Sequence, residues 1–574
     1  MTATSSSIDK SHPRLAWLTL ERLAYALLIF IPAAIRLVDL GGRALSPVEA
    51  STALRAWQTS QGMHPLLDAG GPLIFSLQSL TFFVMGATDG LARAWPLLAA
   101  AAIPLALYFA REWLGRWTAL IAAALITLSP LVNAFARRGD GVSFALLGAA
   151  IALAGWTRVV GDQRYGWTTL LAGVAIVLLS GPAGATALIA LALIFALTRN
   201  TSSDRSSAPA SSDWAIFGVI LLAGGTAFFT RFDALGLMAV NLTQWLTDFS
   251  LAPKTLLAGL VRMMADEPLL TLFGIIAILW GVRQTRTIRA LSIAAAVATI
   301  IAILQGPDVA YSRAVAAFFL ALPTAALLVH LARRGDFSFH SLEQILFVIV
   351  LILLAFLSVY ALVSFAQSGD FNRLTLFFIT LLMALIITGV FIWFIGWGEV
   401  RGGLLISGLI LALLFGAAMI WSLAFNATLP TLARVNPTET LPDARDLIAT
   451  YGDISQHMTG DRWAEEIALI PGSQSDDVIQ WGLRRAEQFS VIDGVDPQKA
   501  PAIIIAPADM ELALGDAYAG QQFTPLSNWG VDHLASANDA IRWFFFRRAP
   551  FPPPADDAVN LWVRLDLLDL NQQP

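Results

Sequence analysis

The sequence predicts a polytopic α-helical membrane protein with about thirteen transmembrane helices and a C-terminal extracytoplasmic α/β domain. Of its 574 residues, 57% are hydrophobic and only 13% are charged. Soluble proteins carry about 25% charged residues, so this chain has too little polar surface to stay in water. Its apolar residues gather into long runs up to about residue 424, and the remainder has the composition of a soluble domain.

Each span is predicted from an apolar run, because a helix that crosses the bilayer core needs about 20 apolar residues. Thirteen runs reach or approach that length. They are 23–38, 92–110, 117–135, 142–159, 167–181, 183–198, 214–229, 268–282, 288–304, 314–332, 342–365, 374–397 and 402–424. The stretch 72–86 is too short to cross easily, so we expect it to be a surface-lying helix in an outer loop.

Basic residues in the short loops predict the orientation, since Lys and Arg favour the cytoplasmic side. With the N-terminus inside, the loops that carry most arginines alternate correctly with basic-poor ones, and the C-terminus falls outside. The expected organisation is a cytoplasmic tail (1–22), a transmembrane domain (23–424) and an extracytoplasmic α/β domain (425–574). Two large outer loops, 39–91 and 230–267, interrupt the transmembrane domain. The plasma membrane is the expected location.

The last domain is predicted to be α/β because short apolar runs alternate with polar, helix-capable stretches such as Ala444–Met458. The expected strands are Ile467–Pro471, Phe489–Ile492, Ala502–Ala506, Trp543–Phe546 and Leu561–Leu565.

Several function classes are excluded or unsupported. The net charge is -5 with no basic stripe, so nucleic acid is not an expected partner. The chain has no cysteine, which excludes thiolate metal sites and cysteine nucleophiles. Neither a phosphate-binding glycine loop nor metal-ligand spacing of histidines is present.

Ionisable residues concentrate in the outer loops, where carboxylates could act as a general base and arginines could hold a phosphate. The candidate catalytic residues are Glu49, Asp68 and Asp140. The candidate phosphate-binding residues are Arg93, Arg137 and Arg138. The candidate acceptor-loop residues are Arg231, Lys254, Arg262 and Glu267. Each of these arginines could equally anchor a helix or pair with a nearby acid.

The order of residues in these loops resembles that of GT-C membrane glycosyltransferases, the superfamily of protein O-mannosyltransferases and the aminoarabinose transferases of lipid A. The flippase-associated glycosyltransferase-like branch is the most similar one. The shared pieces are short but run through nearly the whole chain. They include Arg36-Leu37, Asp39-Leu40-Gly41, Glu49, Gly71-Pro72-Leu73, Ala92-Arg93, Leu128-Ser129-Pro130, Arg137 with Asp140, Trp245-Leu246, Glu267-Pro268 and Gln480-Trp481-Gly482-Leu483-Arg484.

The resemblance implies transfer of a hexose from a polyprenyl-phosphate donor at the outer membrane face. In the superfamily an Asp-Glu pair follows the first span, and its Asp activates the acceptor. Here Glu49 matches the Glu but Val48 stands at the Asp position. The branch's mid-chain Lys is also replaced, at Ser180-Gly181-Pro182, and only Lys254 and Arg262 remain of its cationic stretch.

Three hypotheses follow. The chain is a glycosyltransferase, weakly active because its carboxylates have moved, or it is an inactive GT-C-fold protein that binds lipid-linked glycans or scaffolds a membrane assembly. A transporter is the third, but charges lie mostly at helix ends and only Gly181-Pro182 interrupts a span. The expected partners are a polyprenyl-phosphate sugar, membrane lipid and other membrane proteins. No cofactor is implied, although Asp140 and Glu49 could together hold a divalent metal.

Overall fold

The computed structural model of the protein describes residues 19–67, 70–199, 208–334, 341–425, 438–495, 501–512, 514, 517–528, 536–546 and 557–567. Most of the expected cytoplasmic tail (1–22) and the candidate residue Asp68 lie outside these ranges.

Eighteen α-helices and one short 3₁₀ helix (Phe232–Gly236) precede the C-terminal sheet in the described residues. The α-helices are α1 (Leu20–Leu37), α2 (Pro47–Ser60), α3 (Pro72–Met85), α4 (Asp89–Leu114), α5 (Arg116–Thr127), α6 (Pro130–Ala136), α7 (Val142–Val160), α8 (Gly166–Leu178), α9 (Ala183–Thr198), α10 (Ser211–Gly225), α11 (Leu237–Thr247), α12 (Pro253–Asp266), α13 (Pro268–Gly281), α14 (Arg286–Leu304), α15 (Ala310–Arg334), α16 (Leu342–Ser368), α17 (Phe371–Ile395) and α18 (Trp397–Phe425).

The protein is an integral membrane protein, as its apolar helices predict. Among the described residues, seven helices are long and apolar enough to cross a membrane, namely α4, α7, α14, α15, α16, α17 and α18. Two bent pairs, α5 with α6 and α12 with α13, raise the number to nine if each is one span. Every run predicted as a span contains a helix, but several are shorter than a bilayer core requires, so the number thirteen is not confirmed.

The helices form an inner and an outer group. Within the apolar windows of α7 and α15, 83% of residues are buried, and the core around them is rich in alanine, which allows close helix approach. The corresponding fractions for α16 and α17 are only 11% and 6%. The apolar surfaces of α16 and α17 therefore face outward, where a bilayer would cover them.

Two breaks in the helices lie at one end of the bundle and bring Ser129 next to Glu267. The chain bends by 63° between α5 and α6, where Pro130 takes the first helical position, and by 111° between α12 and α13, where Pro268 does the same. Proline is tolerated there because the first turn of a helix lacks an acceptor for its N–H. The stretch 72–86 was expected to be a surface-lying helix, and it is helical as α3, but eight of the 14 residues of α3 are buried in the protein. Its place at the membrane surface stays a prediction.

The C-terminal region is an α/β domain with one mixed six-stranded sheet. Its elements are β1 (Thr438–Thr440), α19 (Asp443–Thr459), β2 (Ile467–Leu469), α20 (Asp476–Leu483), β3 (Phe489–Val491), β4 (Ile503–Pro507), β5 (Tyr518–Asn528), α21 (Ala537–Phe546) and β6 (Asp557–Arg564). The strand order is β1-β5-β6-β4-β2-β3, in which β2 pairs in parallel with β3 and β4 and the remaining pairs are antiparallel.

One strand prediction is wrong. The run Trp543–Phe546 is the end of α21 rather than a strand. It has four apolar residues in succession without the polar alternation of a half-buried strand, and periodicity alone cannot separate such a run from a helix. Conversely, β1 and β5 were not predicted. Gly520 and Pro525 in β5 are strand breakers, and the β5–β6 register shifts between Phe523 and Leu526, next to the proline.

The C-terminal domain docks against the first loop region through polar contacts. Arg43 and Glu439 form an ion pair at 3.2 Å, as do Arg55 and Asp477. Trp481 packs on the ring of Phe82 and donates its indole N–H to Asp89 at 2.8 Å. The loop 39–91 and the C-terminal domain therefore lie at the same end of the helical bundle.

Candidate functional site

The site begins at the N-terminus of α2, which Glu49 caps. Its Oε2 accepts hydrogen bonds from the backbone N–H and the hydroxyl of Ser46, both at 2.9 Å. The pattern Ser46-Pro47-Val48-Glu49 is a capping box, with proline at the first helical position. This local motif places the Glu49 side chain at the start of the helix.

Arg93 of α4 binds the same carboxylate and closes the loop between α1 and α2. Its Nε and Nη2 donate to Glu49 at 2.7 and 3.1 Å. The other donors reach the carbonyls of Leu40, Arg43 and Ala44 at 2.9–3.1 Å. All five N–H donors of the guanidinium are thus used. The arrangement favours a structural role for Arg93 over the phosphate contact predicted from sequence.

Glu49 is equally saturated. It is completely buried and also accepts the backbone N–H of Gly139 at 2.7 Å. Burial alone would raise the pKa of Glu49, but Arg93 and the other hydrogen-bond donors outweigh it and lower the pKa to about 2. Such a carboxylate is a poor proton acceptor near neutral pH. The arrangement favours a structural role for Glu49 over the catalytic one predicted from sequence.

The turn between α6 and α7 holds the remaining polar candidates of this cluster. Arg138 is 5% exposed, lies 3.5 Å from Asp140 and donates to the Ser46 hydroxyl at 3.3 Å. Asp140 is mostly buried and accepts the backbone N–H of Val142 at 3.1 Å. Burial raises the pKa of Asp140 to about 7, with Arg138 and the Val142 hydrogen bond opposing the rise. Asp140 therefore titrates near neutral pH.

Arg137, in the same turn, is partly exposed and donates to the carbonyls of Arg36 and Asp39 at 3.0 and 3.2 Å. Burial, and then the positive charge of Arg93, lower its pKa to about 10. Asp39 opposes this shift. Arg137 stays protonated at neutral pH, and an anion beside it would compensate the cost of burying its charge.

A second cluster lies where α12 meets α13. Asp266 accepts from Arg262 of α12 at 3.3 Å and from Arg313 of α15 at 3.1 Å, and all three are buried. Arg262 also lies 5.2 Å from the ring of Trp543 in α21. The next residue, Glu267, is buried, accepts the backbone N–H of Leu131 at 2.8 Å and bonds the hydroxyl of Ser129.

Helix α6 joins the two clusters. Glu267 occupies its N-terminus, where a carboxylate is favoured by the exposed N–H groups and the helix dipole. Arg138 and Asp140 follow the C-terminal end of α6. The two ends of this seven-residue helix are about 10 Å apart, because each residue adds 1.5 Å. The loops 137–140 and 230–267, far apart in sequence, thus meet on one short element.

The other acceptor-loop candidates are separate. Arg231 is 4% exposed, pairs with Asp233 and donates to the carbonyl of Pro65 at 2.8 Å, so it ties two loops together. Lys254 is exposed on the first turn of α12. Sequence reasoning assigned no site role to Ser46, Asp266 or Arg313, although Ser46 and Asp266 lie in stretches that it singled out. The Ser46 capping box was visible in the sequence, whereas the shared Asp266 could not be foreseen from residue spacing.

Glu49 and Asp140, which the sequence offered as a possible pair of metal ligands, do not fit a divalent cation. Arg93 already neutralises Glu49, and both carboxylate oxygens of Glu49 accept hydrogen bonds from protein donors. Within the described ranges, no group of three His, Asp or Glu side chains is arranged to hold a metal.

Comparison with known proteins supports the fold. No protein-family model and no curated protein matches the sequence. The solved structure of ArnT from Cupriavidus metallidurans in the apo state is similar with a TM-score of 0.51 and 14% identity, over 86% of this chain and 93% of that one. ArnT from Cupriavidus metallidurans bound to undecaprenyl phosphate has a TM-score of 0.47 and 14% identity, over 86% of this chain and 94% of that one. The Archaeoglobus fulgidus oligosaccharyltransferase in the apo form has a TM-score of 0.45 and 13% identity, over 94% of this chain and 78% of that one.

The fold class expected from the sequence is thereby confirmed. The chain has the GT-C fold, which it shares with ArnT in the apo state. At 14% identity the likeness to ArnT concerns the fold and does not extend to a reaction or a substrate.

Proposed function

We propose that the protein is a membrane glycosyltransferase that takes a hexose from a polyprenyl-phosphate donor. The observation that carries the proposal is the Asp140–Arg138 pair in the α6–α7 turn, next to the buried Glu49–Arg93 pair. Arg93 keeps Glu49 ionised, whereas the pKa of Asp140 is about 7. Two carboxylates with separated pKa values are typical of acid–base sites.

In this proposal Asp140 is the general base. It takes the proton from an acceptor hydroxyl as that oxygen bonds to the anomeric carbon of the sugar. The bond from this carbon to the phosphate oxygen breaks, and the polyprenyl phosphate leaves with the electron pair. A base with a pKa near the working pH contributes about 10²–10⁴ in rate.

Arg137 is the best placed of the three candidate arginines to contact the donor phosphate. Arg93 has used all its donors, and Arg138 is buried against Asp140. Arg137 is partly exposed, and a phosphate would compensate the burial of its charge, which is the main cause of its lowered pKa. The exposed Lys254 is the acceptor-loop residue most open to a charged substrate group.

The membrane face that carries this site is, in our proposal, the extracytoplasmic one. The basic loops predict a cytoplasmic N-terminus and an outer C-terminal domain. The residues around the start of α2 lie at the same end of the bundle as the C-terminal domain. The donor would therefore be used at the outer leaflet of the plasma membrane.

The alternative is an inactive GT-C-fold protein that binds lipid-linked glycans or scaffolds an assembly. A specific observation favours it: Val48 is 51% exposed at the position where the superfamily carries its catalytic Asp. An exposed valine in the first turn of α2 contributes little to the core, and it cannot accept a proton.

Release of sugar from radiolabelled polyprenyl-phosphate hexose by the purified protein in liposomes tests the proposal. Native protein should release hexose above the level of protein-free liposomes. The substitution V48D serves as the comparison, since an exposed site accepts an Asp without burying it. Activity only in V48D would support the inactive alternative, and no activity in either protein would refute both the donor and the reaction proposed.

A further inference from the structure

A cavity of about 330 Å³ lies between α5, α13, α15 and α18. At one end it adjoins a smaller cavity lined by Ser129 and Glu267, with which it shares Leu125, Leu270 and Leu409. The lining of the larger cavity is almost entirely apolar and includes Leu125, Phe273, Leu328 and Leu404. The volume is at the lower end of the range of small-molecule pockets. A hydrocarbon chain is the ligand chemistry that such a lining favours.

Arg401 of α18 is the charged residue in this lining. Its Nη2 donates to the carbonyl of Arg334, the last residue of α15. Its Nε is buried and has no hydrogen-bond partner in the part of the chain that the structure describes. An unsatisfied buried donor costs about 1–3 kcal/mol, more when the group is charged, so an acceptor on a ligand would stabilise this arrangement.

The mouth of the cavity is basic. Arg333 and Arg334 are exposed at the end of α15, where Arg401 binds the last carbonyl. The acids described nearby are Glu399, which accepts a hydrogen bond from Ser341 at 3.2 Å, and Glu343 in the first turn of α16. Among the described residues, three arginines therefore face two acids, which leaves a small excess of positive charge. Arginine binds phosphate oxygens with paired hydrogen bonds, so a basic mouth above an apolar cavity matches a phosphate head with a hydrocarbon tail.

This mouth lies at the membrane face opposite to the candidate site. The ring of Phe415, further along α18, stacks on Phe544 of the C-terminal domain at 6.3 Å. Fourteen residues separate Arg401 from Phe415, or about 21 Å along the helix axis. The headgroup bound at Arg401 would therefore belong to the leaflet away from the C-terminal domain.

We propose that this cavity binds one acyl chain of an anionic phospholipid from that leaflet, with the lipid phosphate on Arg401. The site is separate from the proposed donor site and does not depend on the protein being an enzyme.

The experiment is native mass spectrometry of the purified full chain after exchange into phosphatidylglycerol and phosphatidylcholine mixtures. Two substitutions address the two halves of the site. Arg401→Gln removes the charge and keeps the length, and Gly408→Leu fills the cavity, because a side chain at Gly408 meets nothing within 4 Å. Each should lower bound phosphatidylglycerol about tenfold relative to native protein.

Matched controls are Arg283→Gln, an exposed arginine at the same face, and Gly389→Leu in α17, where a side chain also meets open space. Both should retain phosphatidylglycerol. Equal retention by all five proteins would overturn the proposal, as would equal loss in the controls. Stronger competition by undecaprenyl phosphate than by phosphatidylglycerol would also overturn it, since the cavity would then belong to the donor lipid.

Discussion

Arg93 and Glu49 form a buried, doubly hydrogen-bonded ion pair, with Nε to Oε1 at 2.7 Å and Nη2 to Oε2 at 3.1 Å. Arg93 uses its remaining donors on three loop carbonyls, and Glu49 also accepts from the α6–α7 turn. The pair therefore fixes α2, α4 and that turn relative to one another. The chemistry that we propose takes place beside this pair.

Glu49→Gln should destabilise the protein by about 3–5 kcal/mol, because removal of one partner leaves a buried guanidinium uncompensated. Thermal unfolding in detergent measures it. Asp477→Asn is the matched control, since its pair with Arg55 is partly exposed and should contribute at most about 1 kcal/mol. Equal shifts of Tm in the two variants would contradict the structural role of Glu49.

The same pair predicts how stability depends on acid. The pKa of Glu49 is about 2 in the folded protein, below its ordinary value of 4.5. Between these values the unfolded chain binds more protons, so the contribution of Glu49 is complete above pH 4.5 and is lost as the pH falls toward 2. The Tm difference between native protein and Glu49→Gln should shrink over that range. A constant difference would show that Glu49 is not held ionised.

Arg138→Gln should shift the pH dependence of turnover to higher pH. A general base works when deprotonated, so native activity should rise with pH around 7, the pKa of Asp140. Arg138 lowers that pKa, and its removal should raise it. Arg462→Gln is the control, since Arg462 is half-exposed in the C-terminal domain, pairs with Asp453 and is not among the groups that shift the pKa of Asp140. The measurement is the pH profile of sugar release. An unshifted profile in Arg138→Gln would show that Asp140 is not the general base.

Asp266→Asn should destabilise the junction of α12 and α13 strongly, because Arg262 and Arg313 share this one carboxylate. A loss of about 3–5 kcal/mol is expected for a buried network of this kind. Asp453→Asn, whose carboxylate is 77% exposed and pairs with the half-exposed Arg462, should change Tm little. Similar Tm values for the two variants would show that the buried cluster is not a structural element.

The fold class was predictable because its signal is strong and local. Apolar runs predicted where the helices lie, and the composition of the last segment predicted the α/β domain. The bends were less evident, although Pro130 and Pro268 mark both of them. The strand β5 was hidden by Gly520 and Pro525. Gly520 is needed there because a side chain would meet the ring of Trp562 at 2.6 Å.

The candidate site was predictable only in part. The sequence indicated charged loops, but the partners Glu49 and Arg93 are 44 residues apart. Helix packing determines which acid each arginine contacts, and residue spacing in the sequence does not predict that packing. Asp140 acquires its raised pKa from burial in the folded turn, so the sequence could offer it only as one carboxylate among several.

The most direct measurement is sugar release from polyprenyl-phosphate hexose by Asp140→Asn and Glu49→Gln, each per mole of folded protein. Our account predicts that Asp140→Asn loses about 10²–10⁴ of the native rate, whereas the Glu49→Gln protein that remains folded keeps most of its activity. Full activity in Asp140→Asn, with activity abolished in folded Glu49→Gln, would contradict the account and return the catalytic role to Glu49.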